Sequence, residues 1–147
     1  MTFPTSRRAL LLGLPALLLA AGTAGAAWMM RVPSDLDLSR EKATEAGLYM
    51  AAVAPVEEPV TVGPMHAWTV TLTDRDGAPL DGARITVDGG MPQHGHGLPT
   101  SPAVTQDLGG GRYLIEGMKF NMPGWWELDL SIEGPAGTDS VTFDLVL

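Results

Sequence analysis

The sequence predicts an all-β fold, an antiparallel β-sandwich of six to seven strands. Apolar and polar residues alternate at period two in several short segments, which is typical of half-buried strands. Clusters of Gly, Pro and Asp separate these segments and indicate tight turns between them. No long segment has a helical period, and short strands joined by turns are typical of β-sandwiches.

The last two strands have the clearest alternation. Two rows of inward-facing residues should be buried together: Trp126, Leu128, Leu130 and Ile132 in one strand, and Val141, Phe143 and Leu145 in the next. Alternation also predicts strands near residues 48–53, 65–73, 83–88 and 113–116, with a short edge strand beginning near Val104. These elements place the sandwich domain at residues 47–147 and leave residues 27–46 as a linker or arm.

The first 26 residues have the layout of a secretory signal peptide. Arg7 and Arg8 precede an uncharged apolar run at 9–21, and small residues at 24–26 resemble a cleavage site. The apolar run extended to Ala27 is almost long enough to span a bilayer, so an uncleaved N-terminal membrane anchor is the alternative. We therefore expect an exported domain, either periplasmic or attached to the inner membrane.

Composition excludes several classes of function. The chain has a formal net charge of −8, and nucleic acid is not an expected partner because its phosphates require a basic surface. The chain contains no cysteine, so thiolate metal sites and cysteine nucleophiles are absent. It also lacks the common motifs of hydrolases, zinc proteases and nucleotide-binding enzymes. We expect a binding domain and not an enzyme.

Two loops concentrate histidine, methionine and tryptophan among glycines and prolines. Residues 89–102 contain M-P-Q-H-G-H-G, and residues 117–126 contain F-N-M-P-G-W-W. Glycine between the two histidines lets the backbone turn both imidazoles toward one point. Imidazole and thioether together form a donor set suited to copper, Cu(I) in particular. The predicted ligands are Met91, His94, His96 and Met122, and possible further ligands are Met65, His66 and Met118.

The alternative is a structural or protein-interaction module without a metal. Methionines in a β-sandwich commonly fill the core, and imidazoles in a glycine-rich turn can bond backbone carbonyls. Trp125 is expected on the outer face, where a half-exposed tryptophan suits contact with a membrane or redox partner. The rings of the two histidines would then point apart.

The segments M-P-Q-H-G-H-G-L-P-T at 91–100, G-R-Y at 111–113 and F-N-M-P-G-W-W-E-L at 120–128 resemble the YtkA-like/FixH-like family. The resemblance covers roughly residues 47–147. It implies an immunoglobulin-like β-sandwich in a small exported or membrane-anchored bacterial domain. Full-length FixH proteins are tied to the cell membrane and to cytochrome oxidase maturation, whereas this chain has a single apolar N-terminal segment.

Overall fold

A computed structural model describes residues 31–147, so the predicted signal peptide or anchor lies outside the described residues. No helix in the described part is long and apolar enough to cross a membrane. The described part forms nine strands: β1 (Glu41–Ala43), β2 (Tyr49–Pro55), β3 (Met65–Asp74), β4 (Arg84–Met91), β5 (His96–Gly97), β6 (Ala103–Gly109), β7 (Arg112–Lys119), β8 (Trp125–Gly134) and β9 (Gly137–Val146).

The strands form two antiparallel sheets, which confirms the predicted all-β sandwich. One sheet has the order β1-β2-β3-β7-β6, and the other has the order β5-β4-β8-β9. Seven of the strands correspond to the segments that alternation predicts. The other two, β1 and β5, have only three and two residues and carry no alternation to reveal them.

The core lies between the sheets and contains both predicted rows. Leu128 pairs with Phe143 and Leu130 pairs with Val141 across β8 and β9. All seven residues of the two rows are at most 4% exposed, which confirms the predicted register. The five-stranded sheet contributes the opposing layer: Tyr49, Ala51, Val53, Trp68, Val70, Leu72, Tyr113 and Ile115.

Part of the segment predicted as a linker or arm belongs to the sheet. Strand β1 pairs with β2, and the Val53 N–H donates to the Arg40 carbonyl at 2.8 Å. Beyond β1 the chain crosses to the other sheet, where the Glu45 N–H donates to the Ser140 carbonyl at 2.8 Å. Residues 40–48 therefore connect the first edge of one sheet to the last strand of the other.

Asp139 fixes this crossing. Its carboxylate accepts backbone N–H groups of Ala46 at 3.0 Å, Leu48 at 3.1 Å and Ser140 at 2.9 Å. Burial by itself would raise the pKa of Asp139, but hydrogen bonds from the Thr44 side chain and from these N–H groups hold the pKa below its ordinary range. The folded state consequently favours the ionised carboxylate.

We expect Asp139→Asn to lower the free energy of unfolding at neutral pH. We also expect the free energy of unfolding of this variant to change less with pH in the acid range. Because the folded pKa is depressed, the carboxylate stabilises the fold above the unfolded pKa of about 3.9. That contribution is lost as the pH falls from about 4 toward the folded pKa. Urea unfolding midpoints between pH 2 and 7 measure the effect, with the exposed Asp35→Asn as control. Identical pH profiles for parent and Asp139→Asn would contradict it.

The two motif loops, residues 89–102 and 117–126, lie at the same end of the sandwich. Strand β4 ends there at Met91, next to the start of β8, because Gly90 pairs with Glu127. Strand β7 ends there beside the start of β3, because Lys119 pairs with Met65. We call this end, where the loops after β4 and β7 meet, the motif end.

Candidate metal-binding site

The first motif loop is a tight hairpin between β4 and β5. The Met91 carbonyl accepts the N–H groups of both His94 and Gly95 at 3.0 Å, and Gly95 has a positive φ of 66°. At Gly90 an added Cβ would lie 2.5 Å from the His96 carbonyl oxygen, so only glycine lets β5 approach β4 this closely. The two histidines thus come together across a turn that includes Gly95.

The imidazole rings of His94 and His96 lie side by side. Their centroids are 5.7 Å apart, and their planes are 27° from parallel. Two imidazole nitrogens bound to one ion at about 2.0 Å would place ring centroids roughly 5–6 Å apart. The spacing is therefore compatible with a shared ion. His94 is half-buried and His96 is exposed, so solvent reaches the pair.

A backbone contact orients the His96 ring. Its Nδ1 atom lies 3.3 Å from the Gly97 carbonyl oxygen. Because a carbonyl oxygen only accepts hydrogen bonds, Nδ1 is the donor in this contact, and Nε2 is the ring nitrogen that could bind an ion. Metal-binding histidines commonly donate their second ring nitrogen to a carbonyl in this way.

Met91 lies on the core side of the histidine pair. It is directly opposite His96 in the β4–β5 pairing, and directly opposite side chains point to the same face with Cβ atoms about 4.5–5.5 Å apart. Met91 is 1% exposed. A Cβ added at Gly124 would lie 3.0 Å from its terminal methyl, so the second motif loop packs directly on the thioether.

Trp126 forms an aromatic wall beside the pair. Its ring centroid lies 6.2 Å from that of His96 in an edge-on arrangement and 5.2 Å from that of Phe120. The indole N–H donates to the Met122 carbonyl at 3.1 Å. Trp126 therefore links the two motif loops. Its contact with His96 is absent from the sequence-based prediction, which treats Trp126 as a core residue alone.

The other predicted methionine ligands take different positions. Met122 is partly buried against the core. Trp126 connects it to the hairpin between β4 and β5 that carries His94 and His96, which we call the histidine hairpin. Met118 is 0% exposed and belongs to the core between the sheets. Met65 is 61% exposed at the start of β3, where it faces Lys119 on β7. The structure thus brings Met91 to the histidines directly, and Met122 through Trp126.

His66 belongs to a neighbouring loop and not to the histidine pair. Its Nε2 atom lies 2.8 Å from the Thr61 carbonyl oxygen, and its ring contacts Phe120 at 6.1 Å. In a regular strand His66 would share a face with Trp68, two residues along. A register shift between these two residues interrupts that alternation, and alternation alone could not reveal it.

Trp125 lies on the outer face of the four-stranded sheet, as predicted, but its indole N–H already has a hydrogen-bond partner. The indole N–H donates to an Asp144 carboxylate oxygen at 2.7 Å, and the ring is half-buried. Burial raises the pKa of the neighbouring Glu127, and the charges of Asp129 and Asp144 raise it further. This outer row is acidic, and it lies on the face opposite Trp126 and Met91.

A shallow groove of about 240 Å³ gives access to the hairpin from outside. Its floor is glycine backbone from both hairpin strands, and Glu127 and Asp129 form one side. Within residues 31–147, no group of three or more His, Asp or Glu side chains is placed to hold a metal ion. The donor set that the described residues offer is two imidazoles with a buried thioether beside them.

The family comparison covers this site. The sequence model of the YtkA-like family matches residues 46–131, which is more than half of the chain and includes both motif loops. No curated protein matches the chain, and no solved structure matches it. The resemblance to FixH-like proteins stays a prediction. On the extent of the family match, the chain belongs to the YtkA-like family.

Proposed function

We propose that this domain is an exported, non-enzymatic metal-binding accessory protein that binds or hands on copper. The observation that carries the proposal is the pairing of His94 and His96, 5.7 Å apart, on a hairpin whose opposite residue is Met91. Imidazole nitrogen and thioether sulfur are donors that copper accepts, and Cu(I) is the form that thioether favours. Met122, whose backbone carbonyl accepts the Trp126 indole N–H, is the further candidate ligand.

The position of the histidine pair suits transfer of an ion to another protein. His96 is exposed, the groove beside the hairpin is open, and the thioether lies on the closed side. An ion held there would be approached from the solvent side only. The proposed domain, periplasmic or attached to the inner membrane, would meet its copper donor or acceptor at the motif end.

A second candidate function is that of an interaction module without a metal. Exposed apolar side chains favour it, because Val56, Val62 and Met65 are 55%, 39% and 61% exposed. They lie on or next to the loop between β2 and β3. Such a surface suits a membrane or redox protein partner. Under this proposal the histidine hairpin is a rigid corner of the sandwich.

An anaerobic Cu(I) titration of the exported protein against a chromophoric Cu(I) chelator separates the two proposals. Copper binding predicts one equivalent of Cu(I) taken from the chelator and a higher melting temperature, since an ion that binds only the folded state stabilises it. No uptake by a fully folded protein, with an unchanged melting temperature, would leave the interaction module as the remaining proposal.

A further inference from the structure

We propose that the histidine hairpin is selective for soft monovalent ions, with Met91 as its thioether ligand, so that Ag(I) binds in place of Cu(I) and Zn(II) binds far more weakly. This inference rests on the proposed copper function and adds the class of ion and the identity of the sulfur donor. Three features of the motif end support it.

The first feature is the register of the hairpin. Met91 and His96 are directly opposite, and His96 contacts the core residue Trp126, so both side chains are on the inner face. Strands β4 and β5 hold this pair through backbone bonds, with glycines at 90 and 97 as the next pair. The thioether is therefore held beside the imidazole before any ion arrives, which reduces the entropy lost on binding.

The second feature is the position of the nearest carboxylates, Glu127 and Asp129, which line the outer groove while Met91 is buried on the inner face. Glu127 is opposite Gly90 and so points to the outer face, one position away from the inward pair of Met91 and His96. Asp129 follows on the same outer row, and Asp144 is engaged by Trp125. Zn(II) sites in proteins are built from Cys thiolate, His nitrogen and carboxylate oxygen, and a methionine thioether is not one of these usual ligands. Cu(I) and Ag(I) are soft ions, and soft ions accept thioether sulfur.

The third feature is the position of the other methionines. Met118 is 0% exposed within the core, and Met65 is 61% exposed on a different strand. Met122 is half-buried, and the contact that it makes with Trp126 is through its backbone carbonyl and not its sulfur. Met91 is the methionine whose side chain shares a face with His96 in direct register.

The test measures Ag(I) and Zn(II) affinities of the exported protein in chloride-free buffer, with silver nitrate and zinc nitrate as the probes. The variants are Met91→Leu, which keeps volume and apolarity but removes the sulfur, and Met118→Leu as the matched control in the same core. We expect Met91→Leu to lower the Ag(I) affinity at least tenfold and Met118→Leu to leave it within about twofold. Zn(II) should bind the parent more weakly than Ag(I) and respond to neither change.

Melting curves of both leucine variants establish that each remains folded. Equal Ag(I) affinities for the two variants, or Zn(II) binding as tight as Ag(I) binding, would overturn the inference. Cu(I) binding that depends on His94 and His96 would survive that result, so the copper proposal would stand. A folded parent that binds neither Ag(I) nor Cu(I) would instead overturn the copper proposal and this inference together.

Discussion

Replacement of Trp126 by alanine is expected to lower the free energy of unfolding by about 3–5 kcal/mol, the usual cost of deleting a large buried aromatic side chain. The residue is 0% exposed, packs against Phe120 with ring centroids 5.2 Å apart, and pairs with Leu145 across the sheet. Its loss would also leave the Met122 carbonyl without the indole N–H. Urea unfolding followed by far-ultraviolet circular dichroism measures the change.

The adjacent tryptophan provides the matched control. Trp125→Ala removes a half-buried ring and one hydrogen bond to Asp144, but it opens no cavity between the sheets. Its cost should be well below that of Trp126→Ala. Equal losses for the two variants, or a melting temperature for Trp126→Ala within a degree or two of the parent, would contradict the inward orientation of Trp126.

The second large effect concerns the histidine pair. Replacing His94 and His96 together by asparagine is expected to lower Cu(I) affinity at least tenfold, which corresponds to about 1.4 kcal/mol or more. The metal-free domain should unfold at nearly the same urea concentration as the parent, because His96 is exposed and His94 is half-buried, so neither ring fills the core. The increase in melting temperature on adding copper should disappear.

His66→Asn is the matched control for that variant. Its imidazole contacts the Thr61 carbonyl and the Phe120 ring, and so it holds a loop and not the hairpin. We expect lower stability for His66→Asn with unchanged Cu(I) affinity, the reverse of the double variant. If the double variant instead lost stability and kept its copper affinity, His94 and His96 would be structural and the thioethers would have to explain binding.

The sandwich could be predicted because each of its main strands has an alternation of apolar and polar residues within its own sequence. The rows at Trp126–Ile132 and Val141–Leu145 alternate without interruption, and the structure buries both. Strand β1 could not be predicted in this way. Its residues Glu41–Ala43 have no apolar row, and β1 is held by backbone pairing with β2. The Lys42 ammonium adds a hydrogen bond of 3.2 Å to the Thr142 carbonyl on the other sheet.

The candidate site was predictable only in part. Spacing around Gly95 was enough to expect that His94 and His96 come together. The burial of Met91 could also have been predicted from the alternation of β4, because Met91 is an even number of residues after the inward-facing Ile85 and Val87. The contact of His96 with Trp126 depends on pairing between strands that are distant in sequence. Alternation within one strand carries no information on such pairing.

The crossing at residues 40–48 has a consequence for solubility. Strand β9 is ten residues long and ends its sheet, so its outer backbone is open to any strand that can pair with it. Glu45 and Lys42 occupy part of that backbone at Ser140 and Thr142. A chain shortened to begin at residue 47 would keep both buried rows and lose this cover. Neighbouring molecules could then add strands to β9, so association would rise alongside the loss of the Ala46 hydrogen bond to Asp139.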